Sequence, residues 1–158
     1  MRIGFGYDVH PFENGRTLIL GGVKIPDFRG LKGHSDADVL LHALTDALYG
    51  ALALGDIGSH FPDTDPAYKN ADSSILLKQC YSEIRENGYI LKNCDITVVA
   101  EKPRLQAFIP IIRQHIAELL DSDLSSVSVK ATTSEKMGFI GREEGIAVHA
   151  VVLLQEAG

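Results

Sequence analysis

Tryptophan is absent from this 158-residue chain, and cysteine and methionine occur only twice each. The two cysteines, Cys80 and Cys94, have no CxxC spacing and no histidine at ligand spacing. They are expected to be reduced core residues of a cytoplasmic protein, not parts of a disulfide framework. Positive charge is also short: 15 Lys and Arg stand against 21 Asp and Glu, a net charge of −6. That balance argues against a general nucleic-acid binder, which needs a basic face. It also means that an anionic substrate must be held locally, by a metal, a few cations or backbone N–H groups. No apolar run approaches the roughly 20 residues of a membrane span, and the first residues lack the charged-then-apolar pattern of a signal peptide. There is no Walker A loop, and the early GFG lacks the third glycine and the helix of a dinucleotide fingerprint. No internal repeat or low-complexity linker interrupts the chain.

What is present fits one domain over residues 1–158, large enough to bury about 70% of its unfolded surface. Alternating and β-branched runs predict strands at 2–9, 16–20, 23–26, 93–101, 126–133 and 145–155, with Gly21-Gly22 joining the second and third as a hairpin. Apolar periodicity predicts helices over 36–53, 73–87 and part of 104–120, where Pro110 marks either a kink or a late start. Ser35 and Asp38 have capping-box spacing, and Asp72 caps the second helix. This order predicts an α+β two-layer sandwich: a mixed sheet of the four-stranded type with helices on one face.

The stretch YDVH puts Asp8 and His10 two residues apart near a strand end, and therefore on one face. Pro11 is expected to close that strand. The helix over 36–53 is apolar nearly all round and should be buried. Its exceptions, Asp38, His42 and Asp46, fall at i, i+4 and i+8 on one stripe and need partners. Asp8, His10 and His42 together offer one oxygen and two imidazole nitrogens. Three protein ligands with an open fourth position are the pattern of a catalytic zinc. Asp38 or Asp46 would then orient His42 by accepting its second N–H. Spacing alone leaves two alternatives open, a solvated strand end and a hydrogen-bonded core histidine.

Three segments suit anions or polyols. Gly33-His34-Ser35 stands at the expected helix start, where free N–H groups and the macrodipole favour phosphate. GDIGSHFPDTD (55–65) carries aspartates able to accept hydrogen bonds from sugar or polyol hydroxyls, without the pattern of a calcium loop. KATTSEKMGFIGRE (130–143) presents Thr132, Thr133 and Ser134 ahead of Glu135, a set suited to a diphosphate with Mg²⁺. A capping box from Thr132 to Glu135 is the simpler account of the same residues.

Taken in order, MRIG, GYDVHPF, LKGHSDADVLLHALTDALYGALALGDIGSHFPDTDP, ADSS and KATTSEKMGFIGREEGIA resemble the 2-C-methyl-D-erythritol 2,4-cyclodiphosphate synthase family, essentially end to end. The resemblance implies conversion of 4-diphosphocytidyl-2-C-methyl-D-erythritol 2-phosphate to the cyclic diphosphate, with release of CMP, in the non-mevalonate isoprenoid pathway. It implies that Asp8, His10 and His42 bind a divalent metal, usually Zn²⁺, and that Mg²⁺ or Mn²⁺ binds with the diphosphate near Glu135. His34 and Thr133 match residues that stabilise the transition state. Further substrate contacts are implied at Asp8, Val9, His10, Ser35, Asp56, Ile57 and Gly58, and at Phe61, Pro62, Asp63, Thr64 and Asp65. The nucleotide would meet Ala100, Glu101, Lys102, Pro103, Arg104, Leu105, Gln106, Thr132, Thr133, Ser134 and Glu135, with Phe139 and Arg142 at its edge. Ser134 stands where a third threonine is common but keeps the hydroxyl, and Glu101 and Lys102 are not diagnostic. The family also implies a homotrimer with active sites between subunits and an apolar channel on its axis, and no nucleic-acid or membrane partner. Two readings compete for the same ligands: a metal-dependent nucleotide phosphohydrolase with water as nucleophile, and a non-catalytic diphosphate-binding module.

Overall fold

The computed structural model describes residues 1–158. Its strands are β1 (Arg2–Leu20), β2 (Val23–Leu31), β3 (Tyr89–Val99), β4 (Val127–Thr132) and β5 (Gly145–Glu156). Its main helices are α1 (Val39–Ala51), α3 (Ser73–Glu86) and α4 (Ile109–Leu119), with single turns at α2 (Ile57–His60) and α5 (Gly138–Gly141). The sheet order is β2-β1-β5-β3-β4, and only β3 and β4 run parallel. The expected four-stranded body is β1-β5-β3-β4, and β2 adds a fifth strand along the far half of β1. The α+β class and the mixed sheet are as the sequence predicts.

One long strand replaces the two expected at 2–9 and 16–20. Pro11 does not close it. Residues 2–11 of β1 pair with β5, and from Phe12 onward the pairing passes to β2. Proline lacks the N–H for an interior ladder, but here it stands at the changeover between two partners. Helix α1 begins at Val39, later than the expected residue 36. Ala37 has φ 58°, a left-handed conformation that a right-handed helix cannot include, so Asp38 becomes the cap. Helix α4 starts at Ile109 with Pro110 in its first turn, so the proline marks the late start and kinks nothing.

The core is one cluster of 38 buried residues between the sheet and α1, α3 and α4. Helix α1 is the centre of that layer, with Leu40, Leu41, Ala43, Leu44, Ala47 and Leu48 fully buried. It lies hard against β1 because Gly4 and Gly6 have no side chain. A Cβ at Gly4 would fall 1.9 Å from the Ala47 carbonyl oxygen, and one at Gly6 would fall 1.9 Å from that of Ala43. Strand alternation then sends Asp8 and His10 to the same helix-facing side as Gly4 and Gly6. The opposite side shows Ile3, Phe5, Tyr7 and Val9 to solvent, with Ile3 72% and Phe5 61% exposed.

Candidate active site and metal centre

Asp8 and His10 from β1 meet His42 from α1. The Asp8 Oδ2 atom lies 2.9 Å from His10 Nε2 and 3.2 Å from His42 Nδ1, and the two nitrogens are 3.4 Å apart. A tetrahedral zinc with ligand bonds of about 2.0–2.2 Å needs ligand atoms roughly 3.3–3.6 Å from one another. The three groups therefore need only a slight expansion to close on one ion. No fourth His, Cys, Asp or Glu joins them, so a coordination position stays open.

The other ring nitrogens are also held. His10 Nδ1 donates to the Lys32 carbonyl at 2.6 Å, which leaves Nε2 free as a ligand. His42 Nε2 lies 2.9 Å from Ser73 Oγ and 3.2 Å from Ser35 Oγ. The buried Ser73 hydroxyl in turn donates to the Asp36 carboxylate, which also accepts the Ser73 backbone N–H at 3.0 Å. The expectation that Asp38 or Asp46 orients His42 is therefore wrong. Asp38 accepts from the N–H groups of Gly21, Gly22 and Leu41 at 3.0, 2.6 and 3.0 Å. Asp46 accepts from Ile57 N–H at 2.7 Å. The stripe exists, but its carboxylates fasten the β1–β2 turn and α2 instead. Sequence gave no sign of the Ser73–Asp36 pair beyond the ADSS stretch, because the contact spans 37 residues.

The electrostatics suit a cation. Burial alone would raise the Asp8 carboxyl, but hydrogen bonds and charge from His10 and His42 outweigh it and hold the group well below the usual carboxylate range. Burial would likewise lower the His10 imidazole, yet the Asp8 carboxylate draws it above its ordinary value. The ionised Asp8 carboxylate beside two imidazoles offers a dication one anionic oxygen and two ring nitrogens, His10 giving up its proton on binding.

Over this cluster lies a cavity of about 360 Å³, walled by His10, His34, Ser35, His42, Ile57, Gly58, Phe61, Pro62, Asp63, Tyr68 and Leu76. His34 is on the loop before α1, not at the helix N-terminus, where Asp38 already serves as cap. Its exposed ring approaches the Asp65 carbonyl at 3.4 Å. Several expected contacts lie outside the walls. Asp56 caps α2 through Ser59, Asp65 accepts from Ala67 N–H, and Thr64 is exposed beside them. The Val9 side chain points to the opposite sheet face.

A second cavity, of about 300 Å³, is walled by Ala100, Glu101, Pro103, Arg104, Leu105, Gln106, Ala131, Thr132 and Thr133. It shares no residue with the first. Lys102 is outside it, paired with Glu143 at 3.1 Å. Phe139 is exposed, and Arg142 donates to Glu144 at 2.6 Å. The expected capping box from Thr132 to Glu135 does not form, since no helix starts there: the Thr133 hydroxyl instead donates to the Glu135 carboxylate at 3.1 Å and accepts the Glu135 N–H at 3.3 Å within a local turn. Glu135 and Lys136 both take left-handed φ, 53° and 62°. Glu101 stabilises that turn, since its carboxylate accepts the N–H groups of Ser134 and Lys136 at 3.0 and 3.2 Å. Slight burial would raise the Glu101 carboxyl, but these donors hold it below its ordinary value. This organising role had no local signature, since the partners lie more than 30 residues away along the chain.

The YgbB family model matches residues 1–155. A 2-C-methyl-D-erythritol 2,4-cyclodiphosphate synthase of Bacillus cereus is 59% identical over 155 residues, 98% of each chain. The chain belongs to the YgbB family of cyclodiphosphate synthases. Among solved YgbB-family structures, the bifunctional IspDF of Campylobacter jejuni matches with a TM-score of 0.95 at 52% identity, over 98% of this chain and 42% of that longer one. IspF of Plasmodium falciparum, solved as a CDP complex, matches with a TM-score of 0.87 at 36% identity, over 99% and 97% of the two chains.

Proposed function

We propose that the chain, as a single cyclodiphosphate synthase domain over residues 1–158, converts 4-diphosphocytidyl-2-C-methyl-D-erythritol 2-phosphate to 2-C-methyl-D-erythritol 2,4-cyclodiphosphate and CMP in the non-mevalonate isoprenoid pathway. The observation that carries this reading is the convergence of Asp8, His10 and His42, within 3.4 Å of one another, beneath a cavity with an open coordination position. In the reaction an oxygen of the 2-phosphate attacks the β-phosphorus. The bond from that phosphorus to the oxygen bridging the α-phosphate breaks, and CMP leaves with the electron pair. Two anionic groups must meet, so charge and positioning are the obstacles.

The divalent ions, Zn²⁺ on Asp8, His10 and His42 and Mg²⁺ or Mn²⁺ with Glu135 and the diphosphate, supply Lewis-acid polarisation and charge neutralisation when bound. His34 donates to the attacking phosphate. Ser35, Asp56 to Gly58 and Phe61 to Asp65 form the polyol side, and Thr133 aligns the diphosphate. Ala100 to Gln106, with Thr132 and Ser134, hold the nucleotide, and Phe139 and Arg142 border it. No side chain forms a covalent bond to substrate.

The two cavities have no residue in common, and the apolar strip of Ile3, Phe5, Tyr7 and Val9 lacks a cover within the chain. Both facts support a homotrimer in which the nucleotide cavity of one copy faces the metal cavity of the next. This reading places the enzyme in the cytoplasm, with a small-molecule substrate and no nucleic-acid or membrane partner. Incubation with the cytidyl substrate, with and without chelator, tests it. Chelator-sensitive CMP and cyclic product are expected. CMP with an open-chain product would instead identify a phosphohydrolase, and no turnover at all would leave a binding module.

A further inference from the structure

We infer that Arg16 is a positioning residue for His34, an inference that rests on the role proposed for His34 above. The β1–β2 ladder slips between Glu13, which pairs with Gly30, and Thr17, which pairs with Arg29, so residues 14–16 stand unpaired. A bulge of this kind re-aims the side chain it carries. The partner strand approaches it closely because Gly30 is bare: a Cβ there would fall 2.6 Å from the carbonyl oxygens of Arg16 and Thr17. From the bulge, Arg16 reaches the loop ahead of α1. Its Nη1 donates to the Gly33 carbonyl and its Nη2 to the Ser35 carbonyl, each at 2.6 Å. The residue between those two carbonyls is His34.

The fork of a guanidinium is rigid and planar, so two bonds from one group fix both the spacing and the tilt of the Gly33–His34 and Ser35–Asp36 peptides on either side of His34. The same loop is tied to the metal cluster, through Lys32 to His10 and through Ser35 to His42. His34 itself is exposed, and its ring makes only the long contact to Asp65. Its aim is therefore set through the backbone, and Arg16 grips that backbone on both sides.

The test uses Arg16→Ala and Arg16→Lys, each alone and in a His34→Ala background. Zinc content, the NMR signals of the His34 imidazole and steady-state kinetics are measured. Arg16→Ala is expected to lower kcat between about tenfold and a hundredfold, with KM within about twofold, zinc content unchanged and the His34 signal shifted. Added guanidinium ion should restore part of the rate. Arg16→Lys keeps charge and bulk but meets one carbonyl at a time, so it should also lose kcat; it carries the test if the alanine variant fails to fold. In the His34→Ala background neither change should cost anything further. Wild-type kcat in both variants, an equal loss with and without His34, or loss of zinc would each overturn the inference. The His34 signal needs no substrate, so an unmoved signal overturns this inference even where the wild type makes cyclic product. An inactive wild type with a shifted signal would count against the proposed reaction alone.

Discussion

Around Asp8, His10 and His42 every polar group is gripped by another from the same chain, whereas around Ala100 to Gln106 most groups face water. The metal end draws on β1, α1, the loop before α1 and the start of α3, and its supporting Ser73 and Asp38 are buried. At the proposed nucleotide end Arg104, Gln106, Thr132, Thr133 and Glu135 are all exposed, and Glu101 and the Lys102–Glu143 pair tie one loop to the next. The contrast separates what a single copy can finish from what it can only offer. The three candidate metal ligands all come from one chain, where tenths of an ångström matter. In the proposed homotrimer, a surface that receives a flexible nucleotide can remain half a site until another copy is added.

The comparison is attacked most directly at the metal end. His42→Ala should remove tight zinc and lower activity about a thousandfold or more, since Lewis-acid stabilisation is worth several kcal/mol. The chain should stay folded, and full zinc stoichiometry by metal analysis would sink the ligand assignment. His34→Ala should lower the rate on the order of a hundredfold with zinc unchanged, the range for loss of one positioned proton donor. An unaltered rate would remove His34 from the chemistry. Ser73→Ala should weaken zinc binding about 10- to 100-fold, as losing the partner of a ligand imidazole does. Competition with a chromophoric chelator measures it, and wild-type affinity would mean that Ser35 alone orients His42.

These residues differ in how far sequence could reveal them. Asp8 and His10 announce themselves by strand alternation, and His42 by breaking an otherwise apolar helix. Both signals are local and periodic. The supporting groups have no period. Ser73 meets His42 across 31 residues, and Arg16 meets Ser35 from a bulge that no alternation predicts. The start of α1 departs from the local pattern for a similar reason. The Ser35–Asp38 spacing predicts a start at residue 36, and the left-handed turn at Ala37 moves the cap to Asp38.

At the nucleotide end a smaller effect is expected. Glu101→Gln keeps one acceptor but loses the charge that assists the Ser134 and Lys136 N–H groups. The turn should loosen, seen as roughly fivefold weaker CDP binding. Calorimetry on the zinc-loaded protein separates this from any metal effect. Unchanged CDP affinity would show that the turn holds without Glu101.

Acidity sets the two ends against each other. Asp38, wholly buried beside the metal end, is pushed from 3.8 up to about 6, chiefly by burial. The folded chain therefore holds that proton more tightly than the unfolded one. Its stabilising effect is complete below about pH 4 and is lost as pH rises through about 6, a change on the order of 3 kcal/mol. Glu101 is shifted the other way, so what it contributes is present above its unfolded value of 4.5 and fades as pH falls. Asp38→Asn removes the first of these alone. Urea unfolding at several pH values should show the wild type losing stability relative to the variant between about pH 4 and pH 7. A difference constant across that range would mean that Asp38 stays ionised in the core, with the three N–H groups of Gly21, Gly22 and Leu41 sufficient to hold its charge.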